Sequence, residues 1–147
     1  MRIEKRHVEG QPLTVAIEYP KWSESVEGLL RKISRMDMTL TGKCEDGSVN
    51  VSVSDIYYIE NVERKLFLYT HDEVYRFDGT ASDIENSVYD SGFVRISRTC
   101  IMNTEHLRQI KQIKNSHLEA VMDNDEKLIV SRKYLPDLKR IFKRKAL

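Results

Sequence analysis

The sequence predicts an α+β domain, mostly β, with a few short helices, and three observations carry that prediction. From residue 38 to 78 nearly every run is rich in β-branched and aromatic residues: MTLTGKC, VNVSV, IYYIEN, KLFLYT and EVYRF. Two other stretches, around residues 22–33 and 135–142, place apolar residues at helical spacing instead. Helices and strands do not alternate one for one, which argues against a doubly wound parallel sheet. At 147 residues, 40% apolar and 32% charged, the chain is long enough to bury a core without disulfides or a metal.

Taken in order, residues 2–8 and 13–18 alternate well enough for two short strands around a GQP turn. Trp22, Val26, Leu29, Leu30 and Ile33 then fall on one helical face behind Pro20, a residue suited to a helix start. This β-β-α segment, residues 1–45, precedes a domain at 46–147, and its apolar face is a candidate dimerisation or regulatory surface. Packing of that face on the neighbouring sheet is the favoured alternative, since most amphipathic helices bury their stripe at home. The strands of 38–78 follow, separated in places by DG and HD turns. GTASDIENSVYDSG, residues 79–92, reads as a short helix capped by Thr80 or Ser82, with Ile84 and Val88 inward and a glycine closing it. HLRQIKQI, SHLEAVMD and KLIVS look like three more strands, broken by KNS and DNDE. In RKYLPDLKRIFKRKAL, a terminal helix, Leu135, Leu138, Ile141 and Phe142 face inward and Pro136 is tolerable only near the first turn.

A formal net charge of +1 conceals a strong asymmetry. Residues 45–90 hold three basic residues against eleven acidic ones, a balance of −8, and residues 91–147 hold thirteen against six, a balance of +7. One side of the molecule is therefore expected to face a polyanion, with a solvated helix face as the alternative. Cys44 and Cys100 have no CxxC partner, and His7, His71, His106 and His117 share no metal-ligand spacing, so neither a zinc site nor a cofactor is called for. No GxGxxG, GxxxxGK[ST] or GxSxG motif is present, and an enzyme is not expected. With no apolar leader and no run of membrane-spanning length, the expected location is cytoplasmic.

GFVRISRTCIMN, residues 92–103, sets two arginines and two hydroxyls among apolar anchors, a composition unsuited to a core strand and to a surface loop alike. Together with SDIYYIEN, RKLFLYT, GTASDIENSV, HLRQI and LIVSRKYLPDLKRIF, in that order and spacing, it resembles the LytTR family of bacterial DNA-binding domains over roughly residues 50–142. The family's F-x-R-x-H-R-S-x-x-V-N run is matched by Phe93, Arg95, Ser97, Arg98, Thr99 and Asn103, and VSRKYL at 130–135 is a second signature. Ser97 stands where the family has histidine, and Thr99 where it has serine.

The resemblance implies LytTR-like small stacked β-sheets with short helices, in which loops reach successive major grooves of double-stranded DNA and members bind paired repeats as dimers. Carried over by position, it implies DNA-facing loops at Arg64 and Lys65, at Ser97, Arg98 and Thr99, and at Ser131, Arg132 and Lys133. It is a resemblance to members without a receiver domain, which by analogy are controlled by a partner, often a small membrane protein. Physically, Phe93, Val94, Ile101 and Met102 would anchor the central loop and hold out Arg98, whose planar fork suits guanine O6 and N7. Arg132 and Lys133 look suited to phosphates, which set position and carry little sequence information. Arg95 is expected to be structural, paired with an acid such as Glu60 or Asp83, with a DNA contact as the alternative, and Asn103 to close a turn rather than read a base. Arg64 and Lys65 have a solvated hairpin tip as their alternative, and the basic tail around Lys139 and Arg140 is either a solvated face or a phosphate clamp. The function expected is a bacterial transcriptional regulator without catalytic activity. The alternative is a protein-interaction or anti-activator module on the same fold, favoured if Ser97 and the acidic middle segment mark lost DNA recognition.

Overall fold

The computed structural model describes residues 1–88, 91–114 and 117–146, with side chains to residue 140. Among the described residues ten strands form two antiparallel sheets. The larger comprises β1 (Thr39–Cys44), β2 (Gly47–Ser52), β3 (Tyr58–Val62), β4 (Lys65–Tyr69), β5 (Val74–Phe77), β6 (Phe93–Arg95) and β7 (Cys100–Asn103). Their order across the sheet is β2-β1-β5-β4-β3-β7-β6. The smaller is a meander of β8 (Leu107–Gln112), β9 (Leu118–Met122) and β10 (Lys127–Val130). Helices α1 (Glu24–Arg35), α2 (Ala81–Ser87) and α3 (Leu135–Ala146) complete the fold. The architecture is thus mostly β with short helices, as expected, and among the described residues no helix is long and apolar enough to cross a membrane.

The period-two alternation of the central strands divides the core into two layers. Ile59, Leu66, Leu68 and Ile101 point to one face, where Ile84 and Val88 of the α2 region cover them. Their strand neighbours Tyr58 and Met102 point to the other, against Ala120 and Met122 of the small sheet and Leu138 of α3. A one-residue slip in β3 or β7 would exchange these faces, so packing fixes the register: Tyr58↔Met102, Ile59↔Ile101 and Glu60↔Cys100.

The helices form for local reasons. In α2, Thr80 Oγ1 accepts the Asp83 N–H at 3.1 Å and Asp83 Oδ2 accepts the Thr80 N–H at 2.9 Å, a complete capping box. Those bonds also hold the Asp83 carboxyl below the usual carboxylate range. In α3, Pro136 occupies the second position, where its missing N–H has no carbonyl to meet. The inward orientation expected of Ile141 and Phe142 lies outside the described side chains, as do Tyr89 and Asp90 of the predicted 79–92 helix and two residues of the KNS break.

The N-terminal segment differs from the expectation. Neither 2–8 nor 13–18 forms a strand, and Ile3, Leu13 and Val15 are exposed. Alternation supplies an apolar face, but no neighbouring strand or layer covers it, and a lone hairpin is marginal in water. The helix starts at Ser23 rather than behind Pro20, because Ser23 Oγ accepts the Val26 N–H at 3.3 Å. Its stripe is only half covered, with Val26, Leu29 and Ile33 partly buried and Trp22 and Leu30 exposed. What fixes α1 is its last residue. Arg35 is buried and donates from Nη1 to Glu105 Oε1 at 2.9 Å. It lies against Gly92, whose φ of 88° favours glycine, and a Cβ there would stand 2.9 Å from the guanidinium, which would have to shift.

Asn103 does more than close a turn. Fully buried, it donates from Nδ2 to the Ile56 carbonyl at 2.8 Å and accepts the Glu105 N–H at 3.1 Å, bracing the start of β3 against the end of β7. Asn103→Ala removes the partner of the buried Ile56 carbonyl and of the part-buried Glu105 N–H and should lower unfolding free energy by about 1–3 kcal/mol, read from urea denaturation. The two cysteines differ sharply. Cys44 is exposed, whereas burial, with Glu60 nearby, pushes the Cys100 thiol up to about 12. At about pH 8 a disulfide reagent should therefore titrate Cys44 in the native protein and reach Cys100 only after unfolding. Equal reactivity of both thiols in the native state would contradict this burial.

Candidate nucleic-acid interface

The three predicted loops meet at one end of the large sheet. The first is the β3–β4 hairpin tip, where Glu63 and Arg64 have φ of 52° and 67°. Left-handed backbone at both central residues marks a two-residue hairpin turn that matches strand twist, here without glycine. Arg64 and Lys65 are exposed. The second loop, Ile96–Thr99, joins β6 to β7; Ile96 is fully buried, Ser97 half-buried, and Arg98 and Thr99 exposed. The third, Ser131–Tyr134, is a 3-10 turn leading into α3, closed by the Tyr134 N–H donating to the Ser131 carbonyl at 3.0 Å. Arg132 and Lys133 are exposed on it, and Lys133 Nζ lies 5.4 Å from the centre of the Tyr134 ring.

Backbone hydrogen bonds bolt these loops together through the second. The Asn61 N–H donates to the Thr99 carbonyl at 2.8 Å, tying the loop to the strand that runs into the hairpin tip. The Ser131 N–H donates to the Ile96 carbonyl at 2.8 Å, tying it to the third loop. Within the loop, Ser97 Oγ accepts the Thr99 N–H at 3.3 Å, and the Ile96 N–H donates to the Cys100 carbonyl at 3.0 Å. The three segments that carry the eight predicted residues are thus joined to one another. None of these backbone bonds has a side-chain signature, so the link was not legible from residue types.

Arg95 is structural, with a different partner from either acid expected. Its Nε donates to Glu85 Oε1 at 2.7 Å, its Nη2 reaches the same oxygen, and its Nη1 donates to the Arg98 carbonyl at 2.9 Å. Asp83 is not available because its carboxylate closes the α2 capping box. Glu60 points to the wrong side: Arg95 is opposite Ile101, on the α2 face, whereas Glu60 alternates with Ile59 and projects to the other. Glu85, on α2, has the correct face and reach.

Charge is distributed along the strands rather than across the sheet. Arg64, Lys65, Arg98, Arg132 and Lys133 collect at the loop end. At the opposite end of β3 and β4, Asp55 and Asp72 line an open groove of about 410 Å³ with Tyr57, His71 and His106. His106 stacks on Tyr57 with ring centres 4.0 Å apart, and its Nδ1 lies 3.4 Å from Asp123. These carboxylates and burial raise the Tyr57 phenol, burial being the larger cause. Among the described residues no group of three or more His, Cys, Asp or Glu could hold a metal.

The same architecture is found in a LytTr DNA-binding domain of a putative methyl-accepting/DNA response regulator from Bacillus cereus. That structure superposes with a TM-score of 0.66 at 24% identity, over 71% of this chain and 95% of its own. Sensory transduction protein LytT of Bacillus subtilis is 32% identical over 93 residues, 63% of this chain and 39% of its own length. LytT of Bacillus anthracis is 28% identical over 131 residues, 86% of this chain, a span that must include α1. This chain covers 39% to 53% of the length of these relatives. Residues 46–143, two-thirds of the chain, match the LytTr DNA-binding domain as a family, and the protein belongs to that family.

Proposed function

We propose that the protein is a transcriptional regulator that binds duplex DNA sequence-specifically, inserting its three loops into the major groove, and that it acts as a dimer on a repeated site. The observation that carries this reading is the clustering of Arg64, Lys65, Arg98, Arg132 and Lys133 on loops joined by two backbone hydrogen bonds, with Asp55, Asp72 and Asp123 at the far end. Such a dipolar charge distribution orients the molecule toward a polyanion before contact. A +7 balance over residues 91–147 then supplies salt-sensitive affinity.

Roles follow from how each side chain is held. Arg98 projects from a loop whose carbonyl is gripped by Arg95, so little conformational freedom is lost when it pairs with a guanine edge. Ser97 has spent one acceptor site on the Thr99 N–H, which leaves its hydroxyl proton for a phosphate or base oxygen. Thr99 is exposed beside it. Arg132, Lys133 and the Ser131 hydroxyl, at the mouth of α3, take phosphates, as do Arg64 and Lys65 at the hairpin tip.

Fluorescence anisotropy with the duplex upstream of the protein's own coding region, at two salt concentrations and against an unrelated duplex, tests the reading. Tight binding that weakens steeply with salt and survives the competitor is expected. Salt-insensitive binding, or equal displacement by the competitor, would overturn it. Arg98→Ala should weaken specific binding by about 1–3 kcal/mol and relax base choice at one position, whereas Lys133→Ala should weaken all sequences alike. Arg95→Ala removes the grip on the loop without touching DNA. It should lower stability by about 1–3 kcal/mol, speed amide exchange at Ile96 and Ser97, and reduce specific affinity more than non-specific affinity. Arg95→Lys should not restore these properties, because an ammonium cannot bridge Glu85 and the Arg98 carbonyl as a planar fork does.

A further inference from the structure

Asn61 is the next residue on β3 after the last registered pair with β7, Glu60↔Cys100. Its N–H donates to the Thr99 carbonyl at 2.8 Å, which extends that register by one step and sets Asn61 directly opposite Thr99. On its other side Asn61 is opposite Leu66 of β4. Its backbone is therefore fixed from both sides in a central strand. Its side chain lies on the same face as that of Thr99, with Cβ atoms of such cross-strand pairs about 4.5–5.5 Å apart. The side chain is exposed, and its carboxamide has no hydrogen-bond partner among the described residues. Asparagine is poorly suited to a strand and contributes nothing to the core here, so neither folding nor packing accounts for it.

We infer that Asn61 is a base-reading residue that pairs with adenine in the major groove, next to the base met by Arg98. This rests on the DNA-reading role proposed for the loops and adds a position that none of the family's motif residues supplies. A carboxamide offers one donor and one acceptor in a plane, the complement of adenine N7 and N6. A rigid backbone and a short side chain leave little freedom to lose on binding. The separation from Thr99 spans one to two base steps of about 3.4 Å each, so Asn61 and Arg98 read neighbouring pairs rather than the same one.

The test is enrichment of binding sites from a randomised duplex pool with the full chain and its Asn61→Ala, Asn61→Asp and Arg98→Ala variants, with thermal melting of each. The wild type is expected to select an A·T pair within about two steps of the pair whose preference is lost in Arg98→Ala. Asn61→Ala should lose preference at that A·T pair alone, bind the best site about 5- to 100-fold more weakly, and leave affinity for random duplex and the melting temperature unchanged. Asn61→Asp, an acceptor only, should move the preference toward cytosine N4. Retention of every preference by Asn61→Ala, or a uniform loss over all sequences, would overturn the assignment of Asn61 while leaving the loops as the DNA-binding surface. Failure of the wild type to enrich any site would instead remove the proposed function, and this inference with it.

Discussion

Arg95 joins the folded core to the exposed surface at the loop end, and much of the molecule's organisation follows from where its guanidinium is held. Two of its nitrogens are committed to Glu85 on α2 and the third to the backbone of Arg98. For this to work, α2 must lie flat on the sheet, and the capping box and the burial of Ile84 and Val88 ensure that it does. The strand register must also keep Arg95 on the α2 face, which the alternation of Ile59 with Tyr58 and Ile101 with Met102 enforces from both cores. Core packing, helix capping and loop position are thus one coupled system. A charge-assisted, multi-point contact is appropriate at its centre because arginine alone can satisfy a carboxylate and a carbonyl in a single plane.

The antiparallel architecture produces the electrostatic polarity as a by-product of topology. Strands that run up and down collect alternate connections at two ends, so residues from distant parts of the sequence share an edge. At one end lie the 61–65, 96–99 and 131–134 segments; at the other lie Asp55, Asp72, Asp123 and the β9–β10 turn that follows it. A chain with a net charge of only +1 can therefore present a cationic surface and repel a polyanion from the opposite one. Net charge alone would have hidden this, and the −8 and +7 halves map onto it only in part, since Arg64 and Lys65 come from the acidic half and Asp123 from the basic one.

Legibility followed the range of the interaction. The α2 cap is spelled by Thr80 and Asp83 three residues apart, and β3 to β5 by their alternation, so these were readable from local pattern. The two N-terminal strands were not readable in the same way. Alternation states which face is apolar and is silent on whether anything lies opposite, and nothing among the described residues covers Ile3, Leu13 or Val15. The partner of Arg95 depended on sheet face and on Asp83 already being used, neither of which spacing reveals. The family pattern located the three loops, but the bonds from Asn61 and Ser131 that unite them run through peptide groups common to every residue.

Asn61 and Ser97 bear on one question from opposite directions. Where the family's run carries an imidazole, Ser97 has a hydroxyl that turns inward to the Thr99 N–H. A side chain engaged in holding its own loop extends less far than an imidazole. Yet the loop keeps its position, because its anchors are the Ile96 side chain, the Arg95 grip and two backbone bonds rather than residue 97. The position of the loop is therefore set independently of the side chain at 97. The frame that presents the loop is built from core residues, whereas Arg98, Thr99 and the strand position opposite, occupied by Asn61, are exposed. The anchors of the loop therefore do not depend on the residue at 97. Substitutions can in this way accumulate on the exposed row while the core stays as it is.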